Sequence, residues 1–102
     1  ARSDAAMETL FVIYDVQFEA EIAAIIERDM VISRYSRLDN VVGARMAAQE
    51  ARSGYLSDRR NRMIIAVAEP ETVARIVEGL RALRARKGHG LRAFVVPVSQ
   101  VI

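Results

Sequence analysis

RMIIAVAEPETVARIVEGLRALRARKGHGLRAFVVPV, residues 62–98, reads as a strand, a helix, a tight turn and a second strand in one unit. Arg62–Ala68 is an apolar, β-branched run of strand length, the mark of a strand buried in a sheet. Pro70 stands where a helix begins, since its fixed φ suits the first helical position and its missing N–H is not needed there. Glu69 and Glu71 place negative charge at that end. Val73, Ile76, Val77, Leu80 and Leu83 then recur at helical spacing and form one apolar stripe. Arg81, Arg84, Arg86 and Lys87 load the C-terminal end, where the helix dipole favours cations. Gly88 follows as the expected left-handed cap. Leu91–Val98 is the last strand, and Pro97, which cannot donate to a ladder, marks an edge strand or a strand end.

The first half of the chain repeats this plan. Leu10–Tyr14 (LFVIY) is a second buried strand, and Asp15 sits at an N-cap position. Phe18, Ile22, Ile25 and Ile26 follow at helical spacing, with Glu19, Glu21, Glu27 and Arg28 on the opposite side. From Ile32 to Val42 apolar and polar residues roughly alternate, which predicts a strand with one wet face and a bulge near Asp39–Asn40. Gly43 ends or bends it. Ala44–Arg60 has little periodicity and predicts a long mobile loop with some helical tendency. ARSDAA, residues 1–6, carries no apolar core and reads as an added segment before a native start at Met7; residues 7–102 form one domain.

Strand–helix–strand, a long loop, and strand–helix–strand again predict an α+β, ferredoxin-like βαββαβ sandwich. Its antiparallel sheet has two helices on one face. The central strands, from Leu10 and from Arg62, are apolar on both faces, yet the helices cover only one. The other face is expected to be buried against further copies of the chain.

Composition removes several chemistries. The chain of 102 residues has no cysteine and one histidine, so disulfides, thiolate catalysis and cysteine-based metal sites are out, and no metal is expected. No apolar run approaches the roughly 18 residues that span a bilayer, so direct membrane insertion is not expected. A cytoplasmic location fits. His89 has no nucleophile beside it, Ser53 and Ser57 sit in no motif, and the carboxylates are scattered, so the reading is not an enzyme. A net charge of +2 does not suggest a nucleic-acid partner. The strand from Arg62 has no aromatic to stack a base.

Arginine outnumbers lysine fourteen to one, and its planar fork suits phosphate and carboxylate. Three basic groups stand out. Gly43 with Arg45 opens the long loop; Arg52, Arg59, Arg60 and Arg62 run along and after it; Arg84, Arg86, Lys87, His89 and Arg92 surround the Gly88–Gly90 turn. Each alone can be a solvated surface. If the loop and the turn converge across a subunit boundary, they make an anion pocket with backbone and side-chain donors.

GHGLRAFVVPVSQVI resembles the glycine-rich B-loop and final strand of the PII signal-transduction superfamily. RMIIAVAEPETVARIVEGL resembles that family's third strand and second helix, and DNVVGARM the opening of its long T-loop. The resemblance implies a homotrimer with adenine-nucleotide sites between subunits. It also implies regulation of a transporter or enzyme through the T-loop. By motif position it implies that Gly43, Gly88, Gly90 and Arg92 line the phosphates; from the basic groups, Arg45, Lys87 and His89 are expected at the same nucleotide site, and Arg52, Tyr55, Arg59 and Arg60 toward a protein target. Arg45 stands where the second T-loop glycine is expected, the usual T-loop glutamine and lysine are missing, and the chain stops at Ile102 before a basic C-terminal segment. ADP or AMP is therefore expected rather than ATP, in a divergent PII-like protein rather than a nitrogen-regulatory PII. Divergent members include regulators of bicarbonate transport and carboxysomes. A trimeric CutA-like or metal-efflux-associated protein without a nucleotide site is the alternative.

Overall fold

Alternation along the strands sets the architecture. A computed structural model of the protein describes residues 7–28, 35–41 and 60–102. Strand β1 (Glu8–Asp15) leads through a short 3-10 turn (Val16–Phe18) into helix α1 (Glu19–Arg28). Strand β2 (Ser36–Val41), strand β3 (Asn61–Ala68), helix α2 (Pro70–Lys87) and strand β4 (Leu91–Pro97) follow. The four strands form one sheet in the order β2-β3-β1-β4, each pair antiparallel. Each helix carries the chain over one intervening strand, which is the ferredoxin-like plan expected from the order of elements.

Leu10, Val12 and Tyr14 of β1 and Ile64, Ala66 and Ala68 of β3 point to the helices and are buried. Ile22 and Ile26 of α1, and Val73, Ile76, Leu80 and Leu83 of α2, meet them in a single core. Burying each large aliphatic side chain contributes about 1.5–3 kcal/mol. Pro70 opens α2 as expected, and Gly88 closes it at φ 79, its N–H reaching the Arg84 carbonyl at 2.7 Å. Pro97 ends β4, which is an edge strand.

The expected irregularity in β2 is present. The register with β3 shifts between Leu38 and Val41, and Asn40 takes φ 59. An asparagine tolerates that left-handed conformation better than most residues. The described part of this strand begins at Ser36 rather than Ile32.

The other face of the sheet carries no helix. By the pairing register it presents Phe11 and Ile13 of β1, Met63, Ile65 and Val67 of β3, Phe94 and Val96 of β4, and Leu38 of β2. The Phe11 and Phe94 rings stack across the strands at 5.2 Å between centroids. Phe94 remains 46% exposed, and Val67 and Val96 are nearly as open.

Candidate functional site

One end of the sheet gathers β1's last residues, β2's last, β3's first and β4's first. Tyr14 lies opposite Leu91, and Asp15 and Val41 both lie opposite Asn61. The connector after β1 ties this end together. Asp15 donates its N–H to the Gly90 carbonyl at 2.8 Å, and Val16 donates to the Arg60 carbonyl at 2.9 Å. The Asp15 carboxylate accepts from the Gln17 N–H, capping the turn as the sequence led one to expect. The Gly88–Gly90 turn therefore stands beside the point where the chain returns to the sheet at Arg60.

Gly88 and Gly90 both take positive φ, 79 and 77. At Gly90 a Cβ would also come within 2.7 Å of the buried Phe18 ring, so two reasons converge on glycine there. His89 meets the edge of that ring, and its Nδ1 lies 3.0 Å from the Lys87 carbonyl. Lys87 Nζ lies 3.0 Å from Glu21 and 5.4 Å from the centre of the Phe18 ring. Arg92 is exposed and shares the helix-free face with Phe94. Within one protomer the basic side chains around the turn thus divide: Lys87 and His89 lie over Phe18, Arg92 on the opposite face.

Of the other expected nucleotide and partner residues, Arg60 is exposed beside the connector. Gly43, Arg45, Arg52, Tyr55 and Arg59, and the rest of the Ala44–Arg60 loop, lie outside the described residues. Beside the turn, a groove of about 660 Å³ runs between α2 and β4. Val77, Leu80, Leu91 and Val95 give it an apolar floor, and Arg81 and Arg84 stand on its rim. Arg84 Nε donates to the Leu91 carbonyl at 2.8 Å, fixing the groove's end nearest the turn. Among the described residues, no three histidine, aspartate or glutamate side chains gather as metal ligands. No described helix is long and apolar enough to cross a membrane.

A polar cluster that the sequence reading did not assemble lies at the same end. Glu19 Oε1 accepts from the Tyr14 hydroxyl at 2.6 Å and from Arg62 at 2.8 Å. Arg62 Nε reaches Asp39 at 2.9 Å, and Arg37 spans Glu19 and Asp39 at 3.3 and 3.7 Å. The bulge places Asp39 and Asn40 opposite Arg62, which brings the aspartate within reach. Burial alone would raise the Glu19 carboxyl. The hydrogen bonds from Tyr14 and Arg62, with the charges of Arg62 and Arg37, outweigh it and hold Glu19 below the usual carboxylate range. Burial first, then the hydrogen bond and charge of Glu19, push the Tyr14 phenol above its ordinary value. The Glu19 hydrogen bond raises Arg62, keeping it charged. The signal was available: Arg62 has the same parity as Ile64 and Ala66, so it faces the helices and requires a carboxylate partner.

No family model and no curated protein matches the chain. Solved structures do. CPII from Thiomonas intermedia K12, bound to ADP, AMP and acetate, aligns with a TM-score of 0.72 at 21% identity, covering 94% of this chain and 88% of that one. A structure of CPII with ADP, AMP and bicarbonate gives 0.68 at 21% identity, with 94% and 90% covered. A DUF3240-family protein from Shewanella baltica gives 0.70 at 13% identity, covering 95% and 94%. A PII-like signalling protein from Thermus thermophilus gives 0.64 at 15% identity, covering 90% and 86%. The chain has the fold of PII-like signalling proteins, as its motifs led one to expect.

Proposed function

We propose that the protein is a divergent PII-like regulator, not an enzyme. It binds an adenine nucleotide, ADP or AMP rather than ATP, in clefts between the subunits of a homotrimer. The observation that carries the reading is the joining of the Gly88–Gly90 turn to the chain's return at Arg60 through adjacent N–H groups of Asp15 and Val16. A two-glycine turn offers backbone donors to phosphate, and the arginine-rimmed groove beside it has an apolar floor suited to a base. In this reading Arg92, on the helix-free face, acts toward a neighbouring copy. Gly43 and Arg45 complete the phosphate side in this reading, and Arg52, Tyr55, Arg59 and Arg60 face a transporter or enzyme target. That CPII, a protein of the same fold, has been crystallised with ADP, AMP and bicarbonate supports a role in inorganic-carbon metabolism.

The trimer is supported by the helix-free face. Exposed apolar surface of this extent favours association at about 25 cal/mol per Å² buried. One observation favours a second reading, a CutA-like trimer without a nucleotide site: Lys87 is already engaged by Glu21 and Phe18. Calorimetry with ADP, AMP, ATP and cyclic AMP separates the two. Heat with ADP or AMP supports the nucleotide reading, and no heat at millimolar ligand overturns it in favour of the second. A monomeric mass by light scattering at micromolar protein overturns both.

A further inference from the structure

Two elements far apart in sequence, the Gly88–Gly90 turn and the start of β3, are held by two consecutive backbone N–H groups. The Asp15 N–H grips the Gly90 carbonyl and the next N–H, of Val16, grips the Arg60 carbonyl. The two donors flank the Asp15 Cα, held at φ −65 and ψ 136, and the Asp15 carboxylate's hold on the Gln17 N–H limits how far one donor shifts without the other. The turn has little freedom to slide over its support. Gly90 rests on Phe18, a ring only 4% exposed, and Asp15 Cβ lies on its other flank. His89 and Lys87 bear on the same ring. Close-packed interiors transmit such displacements rather than absorb them.

We infer that the Asp15–Phe18 connector is a relay that converts movement of the Gly88–Gly90 turn into movement of the chain at Arg60 and the first residues of β3. The inference deepens the proposed nucleotide reading by naming how occupancy of the turn is communicated to the protein-facing side. Its physical content is independent of any ligand. The connector needs no contact between ligand and β3, because the Phe18 ring and two backbone donors suffice.

Val16→Pro isolates the link. Val16 is the first residue of the 3-10 turn, a position where proline is accommodated, and Asp15 before it already has φ −65 and ψ 136, the extended conformation that a following proline requires. The substitution removes one donor and leaves the turn's own contacts in place. Val16→Ala, which keeps the N–H, is the control. In ligand-free protein, Gly90→Ala is expected to shift the amide NMR resonances of Asn61 and Arg62. In the Val16→Pro background that shift should fall by about threefold or more, the signature of coupled sites. In the Val16→Ala background it should persist. His89→Ala is a milder push on the same ring and should give the same pattern at smaller amplitude. Phe18→Leu keeps both donors but removes the ring support, so it serves if Val16→Pro does not fold, and should likewise suppress the shift. Undiminished shifts at Asn61 and Arg62 in the Val16→Pro or Phe18→Leu background overturn the relay. A parallel ADP titration of the wild type tests the nucleotide reading separately. Absence of any ADP-induced shift refutes that reading, while the Gly90→Ala comparison still decides the relay.

Discussion

Alanine at Gly88 and alanine at Gly90 should destabilise the protein to clearly different degrees, although the two backbones are nearly identical. Both residues take left-handed φ, 79 and 77, so a side chain costs about 1–2 kcal/mol at either position. The surroundings then separate them. Around Gly88 a Cβ meets nothing within 4 Å. At Gly90 it would meet Phe18 Cε2 at 2.7 Å and Asp15 Cβ at 3.3 Å. Phe18 is buried in the core and cannot swing into solvent, and Asp15 is fixed by its bond to Gly90 itself. Overpacking of this kind adds about 1–3 kcal/mol. The gain from a stiffer unfolded chain is common to both substitutions and cancels in the comparison. Urea unfolding at one fixed protein concentration measures the difference while holding any subunit association constant. Gly88→Ala should cost about 1–2 kcal/mol and Gly90→Ala about 2–5 kcal/mol. Adding Phe18→Leu to Gly90→Ala should recover part of the excess and none of the Gly88→Ala cost. Equal costs for the two alanines, or no relief from Phe18→Leu, would refute the claim that the turn is wedged on the ring.

Three further outcomes follow from the core, the polar cluster and the helix-free face. Leu83→Ala removes a fully buried side chain and should cost about 2–5 kcal/mol, measured by urea unfolding. The folded Glu19 carboxyl titrates below its ordinary value near 4.5, so its contribution is fully present above that pH and is lost as pH falls through the lower folded value. The stability gap between wild type and Glu19→Gln should therefore shrink on acidification below about pH 4.5 and stay flat at neutral pH, as read from unfolding midpoints. Phe94→Glu places a charge in the stacked aromatic pair on the helix-free face, and should lower the assembled mass in light scattering while leaving the circular dichroism of the protomer unchanged.

Much of the fold was legible because its signals are local. Two apolar runs gave the central strands, Pro70 and Gly88 bounded the second helix, and Pro97 marked an edge. The bulge at Asp39–Asn40 was visible as a break in alternation. The candidate site was less legible because its decisive contacts are non-local or made by the backbone. The donors of Asp15 and Val16 carry no side-chain signature, so nothing in the sequence linked Arg60 to Gly90. Glu19 sits on the polar side of its helix pattern, and only the folding of β1, β2 and β3 around it turns that exposure into a half-buried ion cluster. Lys87 looked available in sequence; the helix register brings it to Glu21 and Phe18. Gly43 and Arg45, which the sequence reading set beside the nucleotide, lie outside the described residues.

The two borders of the sheet are built to opposite rules. Along β2 the backbone ladder breaks at the bulge, Asn40 turns left-handed, and Arg37 and Asp39 put charge beside it. Along β4 the strand runs regularly through LRAFVVP until proline removes a donor at its far end. Fibril growth by strand addition requires each molecule to offer a clean ladder on both borders, so that one copy templates the next without limit. Here a copy docked strand-to-strand on β4 would present its irregular, charged β2 border, or none, to the following one. The irregularity that aims Asp39 at Arg62 thus also works against open-ended strand addition along that border.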